Sequence, residues 1–167
     1  MAEYDLLEIY QEVRRLILES LDKPEAPCNL STRLIADLSA ESLDYLDVAF
    51  RIERAFNVKI QRGRIEKDLR ARFPHLVVKP NTDATDELKA VLKEVMSEVP
   101  AEHIDQISKV KDIAGLFTVA TFVRTAVQAI LEANPNTNIR ASRIEGYDPR
   151  QLGVANASEQ GLGLSNA

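Results

Sequence analysis

The stretch ADLSAESLDYLDVAFRIERAF, residues 36–56, decides how the chain is read. From Ser42 to about Phe56 its apolar residues recur at spacings of three and four, the period of one helix face. That set is Leu43, Leu46, Ala49, Phe50, Ile52 and Phe56, leaving Asp44, Asp47, Arg51 and Arg54 for solvent. Ser42 therefore stands at a helix start among four carboxylates, Asp37, Glu41, Asp44 and Asp47. Two readings follow from the residues alone. Ser39 or Ser42 caps the helix by accepting a backbone N–H. Alternatively, the Ser42 hydroxyl receives a phosphate, which the free N–H groups and positive dipole end of a helix accommodate well. No base in the chain is positioned to activate that hydroxyl, so a second enzyme would supply the chemistry. Asp44 and Asp47 would draw a basic partner surface toward the serine.

Working outward, residues 5–21 form an amphipathic helix with Leu6, Ile9, Tyr10, Val13, Leu16, Ile17 and Leu21 on one face. Pro24 and Pro27 end it in a connecting loop. Residues 59–72 hold six basic residues against two acidic ones and read as a short, solvated third helix. Beyond it, two valines at 77–78 allow a brief extended segment, but nothing alternates long enough for a sheet. Thr85 is placed to cap a helix over 85–99 with Leu88, Val91, Leu92, Val95 and Val99 as its stripe. Pro100 starts a short helix carrying Ile104 and Ile107, and the last strong helix spans 118–133. From Asn134 the chain turns rich in Asn, Ser, Gly and Pro, which predicts a flexible or loosely docked tail over 134–167. The fold class is all-α, a helical bundle.

Composition narrows the function. With 167 residues, 45% hydrophobic and 28% charged, the chain suits one globular domain. A net charge of −5 argues against general nucleic-acid binding. No apolar run approaches the roughly 18 residues of a membrane span, and the acidic N-terminus lacks a signal-peptide pattern. The single cysteine, Cys28, suits a reducing cytoplasm and reads as a buried or inert thiol. His75 and His103 fit no metal pattern, and the six glycines, including the GLGL at 161–164, form no phosphate loop. Glu41 and Asp44, three apart on an exposed turn, make a poor acid–base pair. A self-contained enzyme is not expected.

The segment DLSAESLDYLDVAFRIERAFNVKI is similar to the second helix of acyl carrier proteins, with its D-L-G-x-D/E-S-L start and acid-rich face ending in E-x-x-F. Asp37, Leu38, Glu41, Ser42, Leu43, Asp44, Leu46, Asp47, Glu53 and Phe56 fall on family positions. The first helix and LFTVATFVRTAVQAI resemble the family's first and closing helices. The likeness covers residues 3–60 and 113–132. It implies a four-helix bundle with Ser42 as the attachment site for 4'-phosphopantetheine, taken from coenzyme A and carrying acyl groups as thioesters. It further implies that Glu41, Asp44, Asp47 and Glu53 face partner enzymes. Those partners are a phosphopantetheinyl transferase and then acyl-activating, acyltransferase or ketosynthase enzymes with basic docking surfaces. The carrier itself would be a cytoplasmic monomer in fatty-acid, polyketide or other lipid biosynthesis.

Three departures set this chain apart. Ser39 stands where the family has glycine, and Arg51, Arg54 and the basic stretch after Lys59 replace part of the acidic surface. About fifty residues, 62–112, replace a short connection inside a carrier-like domain over 1–133, which points to a dedicated pathway rather than housekeeping synthesis. That insertion either extends the bundle core or lines and covers a larger acyl pocket, with Phe50, Phe56, Phe117 and Phe122 near its interior. The alternative function is an unmodified carrier-like scaffold or regulatory protein.

Overall fold

The computed structural model describes residues 3–75 and 79–155. The valines at 77–78, the GLGL stretch and the rest of the tail past residue 155 lie outside the described residues. After a short strand β1 (Glu3–Asp5) come α1 (Leu6–Ser20), α2 (Leu34–Leu38) and α3 (Ser42–Phe56). The insertion supplies α4 (Arg64–Arg72), α5 (Asp86–Val95), α6 (Ala101–Asp105) and a 3-10 helix, Val110–Leu116. The chain then closes with α7 (Val119–Ala133), strand β2 (Asn138–Arg140) and a second 3-10 turn, Pro149–Leu152.

The three long helices form the bundle, α1 packing on both α3 and α7. Each starts for a local reason. The Asp5 carboxylate accepts the Leu7 N–H at 2.9 Å at the head of α1. Thr118 and Thr121 cap α7 reciprocally, the Thr118 hydroxyl accepting the Thr121 N–H at 3.2 Å. Leu6, Val13 and Ile17 of α1 meet Val48 and Ile52 of α3 and Val123 and Val127 of α7, all buried. Burying a side chain of that size contributes about 1.5–3 kcal/mol, so this seam dominates the bundle's stability.

α2 is a single turn at a place where the sequence reading assigns no element. Leu34 and Leu38, four apart, sink into the core, and the turn ends at Ser39 in the left-handed region, φ 60°. The Ala40 N–H closes back on the Leu34 carbonyl at 2.9 Å. A glycine reaches that backbone without strain, which is the physical content of the glycine that resembling sequences carry there.

Of the tail expected to be flexible or loosely docked, the described part is docked. Residues 134–155 pack on the bundle: Ile139, Ala141, Ile144, Leu152 and Val154 are buried in the same core. β2 pairs in parallel with β1, Tyr4 opposite Ile139, so a small two-stranded sheet accompanies the helices. The Glu145 carboxylate fastens the segment, accepting the Tyr10 hydroxyl at 2.6 Å and the Leu30 N–H at 2.9 Å. Gly153, at φ +93°, sits so close to α7 that a Cβ would lie 3.2 Å from Val127 Cγ1. A segment too poor in apolar residues to build a core can still dock its few apolar residues into an existing one.

The insertion builds a second core. Leu69, Leu88, Leu92, Met96, Ile104 and Val110 form its centre, and the half-buried Phe117 touches both cores. Of the two roles expected for the stripe Leu88, Val91, Leu92 and Val95, simple extension of the bundle core is therefore not what forms. Thr85 caps α5 as read, its hydroxyl accepting the Leu88 N–H at 3.1 Å.

Candidate functional site at the start of the third helix

Ser42 is the first residue of α3 and is exposed. The cap position belongs to Glu41, not to Ser39 or Ser42, and the Asp44 carboxylate accepts the Glu41 N–H at 2.7 Å. The Ser42 hydroxyl is thus released from capping and has no hydrogen-bond partner among the described residues. It stands at the positive end of a 15-residue helix, where a phosphodiester would meet unpaired N–H groups. The exposed hydroxyl leaves room for a phosphate-linked arm, whose charge the helix end favours and the neighbouring carboxylates oppose.

The acids are placed less uniformly. Glu41 is exposed beside Ser42, and Asp44 is half-buried by its bond back to Glu41. Asp47 accepts the Ser20 hydroxyl at 2.5 Å and Arg51 Nε at 2.8 Å, ties that run to α1 and along α3. These bonds, that from Ser20 foremost, hold its carboxyl below the usual aspartate range. Glu53 turns to the loop, accepting the Ile60 N–H at 2.8 Å.

The apolar set expected to face the core is split. Ala49 and Ile52 are buried, as is Val48 outside that set, but Leu43, Leu46 and Phe50 are 74%, 40% and 48% exposed. α3 carries two neighbouring apolar stripes, and periodicity alone cannot tell which of them faces inward. The outward one lies immediately beyond Ser42. Arg62 covers its far end, its guanidinium 4.5 Å from the centre of the Phe50 ring.

On the inner side α3 meets the insertion across a cavity of about 680 Å³. Tyr45, one turn on from Ser42, anchors one wall. Its ring stacks on Phe117 at 5.1 Å, nearly parallel, and meets Phe122 edge-on at 5.5 Å. Its hydroxyl donates to the Ala114 carbonyl at 2.5 Å. The sequence reading missed Tyr45; its signal is the i+3 offset that puts it on the same side of α3 as Val48 and Ile52. Of the four aromatics expected near an interior, Phe117 and Phe122 line this cavity. Phe50 faces outward and Phe56 packs on Tyr4 at 6.0 Å.

One wall of the cavity is polar. Glu98, only 3% exposed, accepts the Thr121 hydroxyl at 2.9 Å and Arg124 Nη1 at 3.0 Å. The basic stretch read as a solvated helix also turns to this space: Lys59, Arg62, Arg64, Arg70 and Arg72 line it, joined by Lys111. Against them stand Asp68 and Glu94 at the opening and Glu98 in the wall.

Elsewhere, burial pushes the Cys28 thiol up and away from reactivity. Among the described residues no cluster of three His, Cys, Asp or Glu side chains could hold a metal ion, and no helix is long and apolar enough to cross a membrane.

Comparison with known proteins decides the relationship. An acyl carrier protein of Thermotoga maritima is 37% identical over 60 residues, 36% of this chain and 74% of that protein. Another, from Campylobacter hominis, is 30% identical over 61 residues, 77% of its length. The chain belongs to the acyl carrier protein family. The acyl carrier protein of Borrelia garinii is 42% identical over 53 residues, so the chain spans 66% of that relative while a third of the chain takes part. No family model and no solved structure matches. Within that family this chain carries a second core on the connection between α3 and α7.

Proposed function

We propose that this protein holds acyl intermediates on a 4'-phosphopantetheine arm attached to Ser42. The observation that carries the reading is Ser42 itself, exposed at the first position of α3 with its hydroxyl unpaired among the described residues. When bound, the arm supplies a terminal thiol on which acyl groups travel as thioesters. Loading forms a bond between Ser42 Oγ and the β-phosphorus of coenzyme A and breaks the pyrophosphate linkage. The serine proton leaves to a base of the transferase, and adenosine 3',5'-bisphosphate departs. A divalent metal in the transferase would bear the phosphate charge, since this chain needs only to present the hydroxyl.

The chain's own residues then set the encounter. Glu41 and Asp44 give the Ser42 end an acidic rim that steers basic partner surfaces. Leu43 and Leu46, exposed beside it, offer apolar contact once the partner has arrived. Successive partners are the transferase and then acyl-activating, acyltransferase or ketosynthase enzymes. The added core between α3 and α7 favours a dedicated lipid or polyketide route in the cytoplasm over housekeeping fatty-acid synthesis.

The test is intact mass spectrometry after incubation with coenzyme A, magnesium and a broad-specificity phosphopantetheinyl transferase. The expected result is a gain of one phosphopantetheine on the native chain and none on Ser42→Ala. A folded native chain that gains nothing with several transferases would overturn the reading and turn attention to an unmodified scaffold.

A further inference from the structure

The cavity between the carrier helix and the inserted core has two unlike parts. Its floor is buried and mostly apolar, made by Ala49, Met96, Ile113, Phe122 and Ala129. Its basic groups sit at the exposed rim: Lys59 and Arg62 come from the turn after α3 and Arg70 from α4, whose Arg72 is paired with Glu94 at 3.0 Å. In a chain of net charge −5, this is a local excess of basic over acidic groups around one cavity, with Asp68, Glu94 and Glu98 as the acids on its lining.

The position of the rim along α3 bears on what it is for. Ser42 and Phe56 are the two ends of that helix, about 20 Å apart at the rise of an α-helix. Lys59 and Arg62 lie past the Phe56 end. A phosphate on Ser42 is therefore too distant to be their partner. Tyr45 lines the cavity at the Ser42 end, and Ile60 and Arg64 line it at the other. A chain entering beside Tyr45 would run over the apolar floor toward the basic rim.

We infer that the cargo of this chamber is an acyl chain with an anionic far end, such as a carboxylated acyl group. This rests on the carrier reading of Ser42. The floor supplies the burial that any chain of methylenes gains. The rim supplies charge-assisted hydrogen bonds that only an anionic end group can use, Arg in particular by a bidentate grip on a carboxylate. A plain alkyl end would instead have to lie among hydrated cations, which selects against it. The basic stretch of residues 59–72 thereby has a task other than solvation.

The experiment loads the full chain on Ser42 from octanoyl-coenzyme A or from suberyl-coenzyme A. The two acyl groups have equal carbon number, and only the second ends in a carboxylate. Intact mass confirms loading, and the protein's melting temperature and the rate of thioester cleavage by hydroxylamine are then read. The expected result is a higher melting temperature with the suberyl group and cleavage roughly five- to tenfold slower than for octanoyl. Lys59→Gln with Arg70→Gln, both at exposed positions, should erase that difference. Salt near 1 M, where the screening length falls to about 3 Å, should erase it too. Equal protection of the two chains, or a difference that survives the double substitution, would overturn the inference while the mass gain upholds the carrier. Failure to load at all would overturn both, and the mass measurement reports that separately.

Discussion

Tyr45 links the carrier helix to the inserted core, and its removal in two steps tests that link quantitatively. Tyr45→Phe keeps the stack on Phe117 and deletes only the hydroxyl that donates to the Ala114 carbonyl. The lost hydrogen bond is worth about 0.5–1.5 kcal/mol, and a half-buried carbonyl left without its donor adds to the loss. A total of about 1–2 kcal/mol corresponds to a fall of roughly 2–8 °C in melting temperature for a chain of this length. Tyr45→Ala also removes the ring and its two aromatic contacts. Full burial of such a ring would cost about 3–5 kcal/mol to delete; Tyr45 is only half-buried, so about 2–4 kcal/mol is expected. Urea titration by circular dichroism gives both totals. Hydrogen exchange locates them: protection should fall over the 3-10 helix Val110–Leu116 while Val13 and Ile17 of α1 keep theirs. The hydroxyl's ionisation gives a further check, because burial pushes it well above the ordinary tyrosine range. The unfolded chain then ionises first, so stability should fall as pH rises past 10, and less so in Tyr45→Phe. A Tyr45→Phe protein that melts within about 1 °C of the parent, with unchanged exchange at 110–116, would refute the link.

Ser39→Gly should raise stability by about 0.5–1 kcal/mol, because glycine occupies φ 60° without the Cβ penalty; a thermal melt that shows no rise would mean the turn is not strained. Glu145→Gln leaves one acceptor where the carboxylate served both Tyr10 and Leu30. A loss of about 1–2 kcal/mol is expected, together with faster amide exchange at Leu30, and undisturbed exchange there would show that the staple is idle. Asp47 carries a pH signature. Its folded pKa lies below the unfolded one, chiefly through Ser20, so its contribution is present above the unfolded aspartate range and lost as pH falls through the folded value. Ser20→Ala should move the Asp47 carboxyl titration, followed by carbon-13 NMR, back toward the ordinary range, and an unmoved titration would assign the depression to Arg51 instead.

What the sequence made legible was whatever repeats locally. α1 and α7 follow from stripes at three and four, and Thr85 marks the start of α5 by its side-chain oxygen. Ser42 could be placed at a helix start but not at the first helical position, because Glu41 and Asp44 share the capping that serines more often perform. α2 is too short for any period to emerge from Leu34 and Leu38. The docking of residues 134–155 depends on partners more than a hundred positions away, such as Tyr10 for Glu145, and composition is silent about distant partners. The outward turn of Leu43, Leu46 and Phe50 was hidden for a different reason. Two apolar stripes side by side satisfy the same helical period, and only the packing of α1 and α7 chooses between them.

The polar wall explains how a cavity can persist where a collapse would bury more apolar surface. Glu98 is almost wholly buried, yet both its oxygens are engaged, by Thr121 and Arg124 of α7. Pressing the inserted core flat against α7 would displace those bonds and strand a carboxylate in an apolar setting, at a cost of several kcal/mol. The inserted core has no need of that collapse, since Leu69, Leu88, Leu92 and Ile104 already bury one another. Each side is therefore satisfied on its own, and the two are spaced by a bonded strut, Glu98 to Arg124, and by the Tyr45 stack. Replacing Arg124 with leucine should thus do more than lower stability. It removes the charge that holds Glu98 in place, and the chamber should shrink or open, read as loss of the slow thioester cleavage before any loss of helix signal. A variant that keeps full protection of its cargo would show that the strut does not shape the chamber.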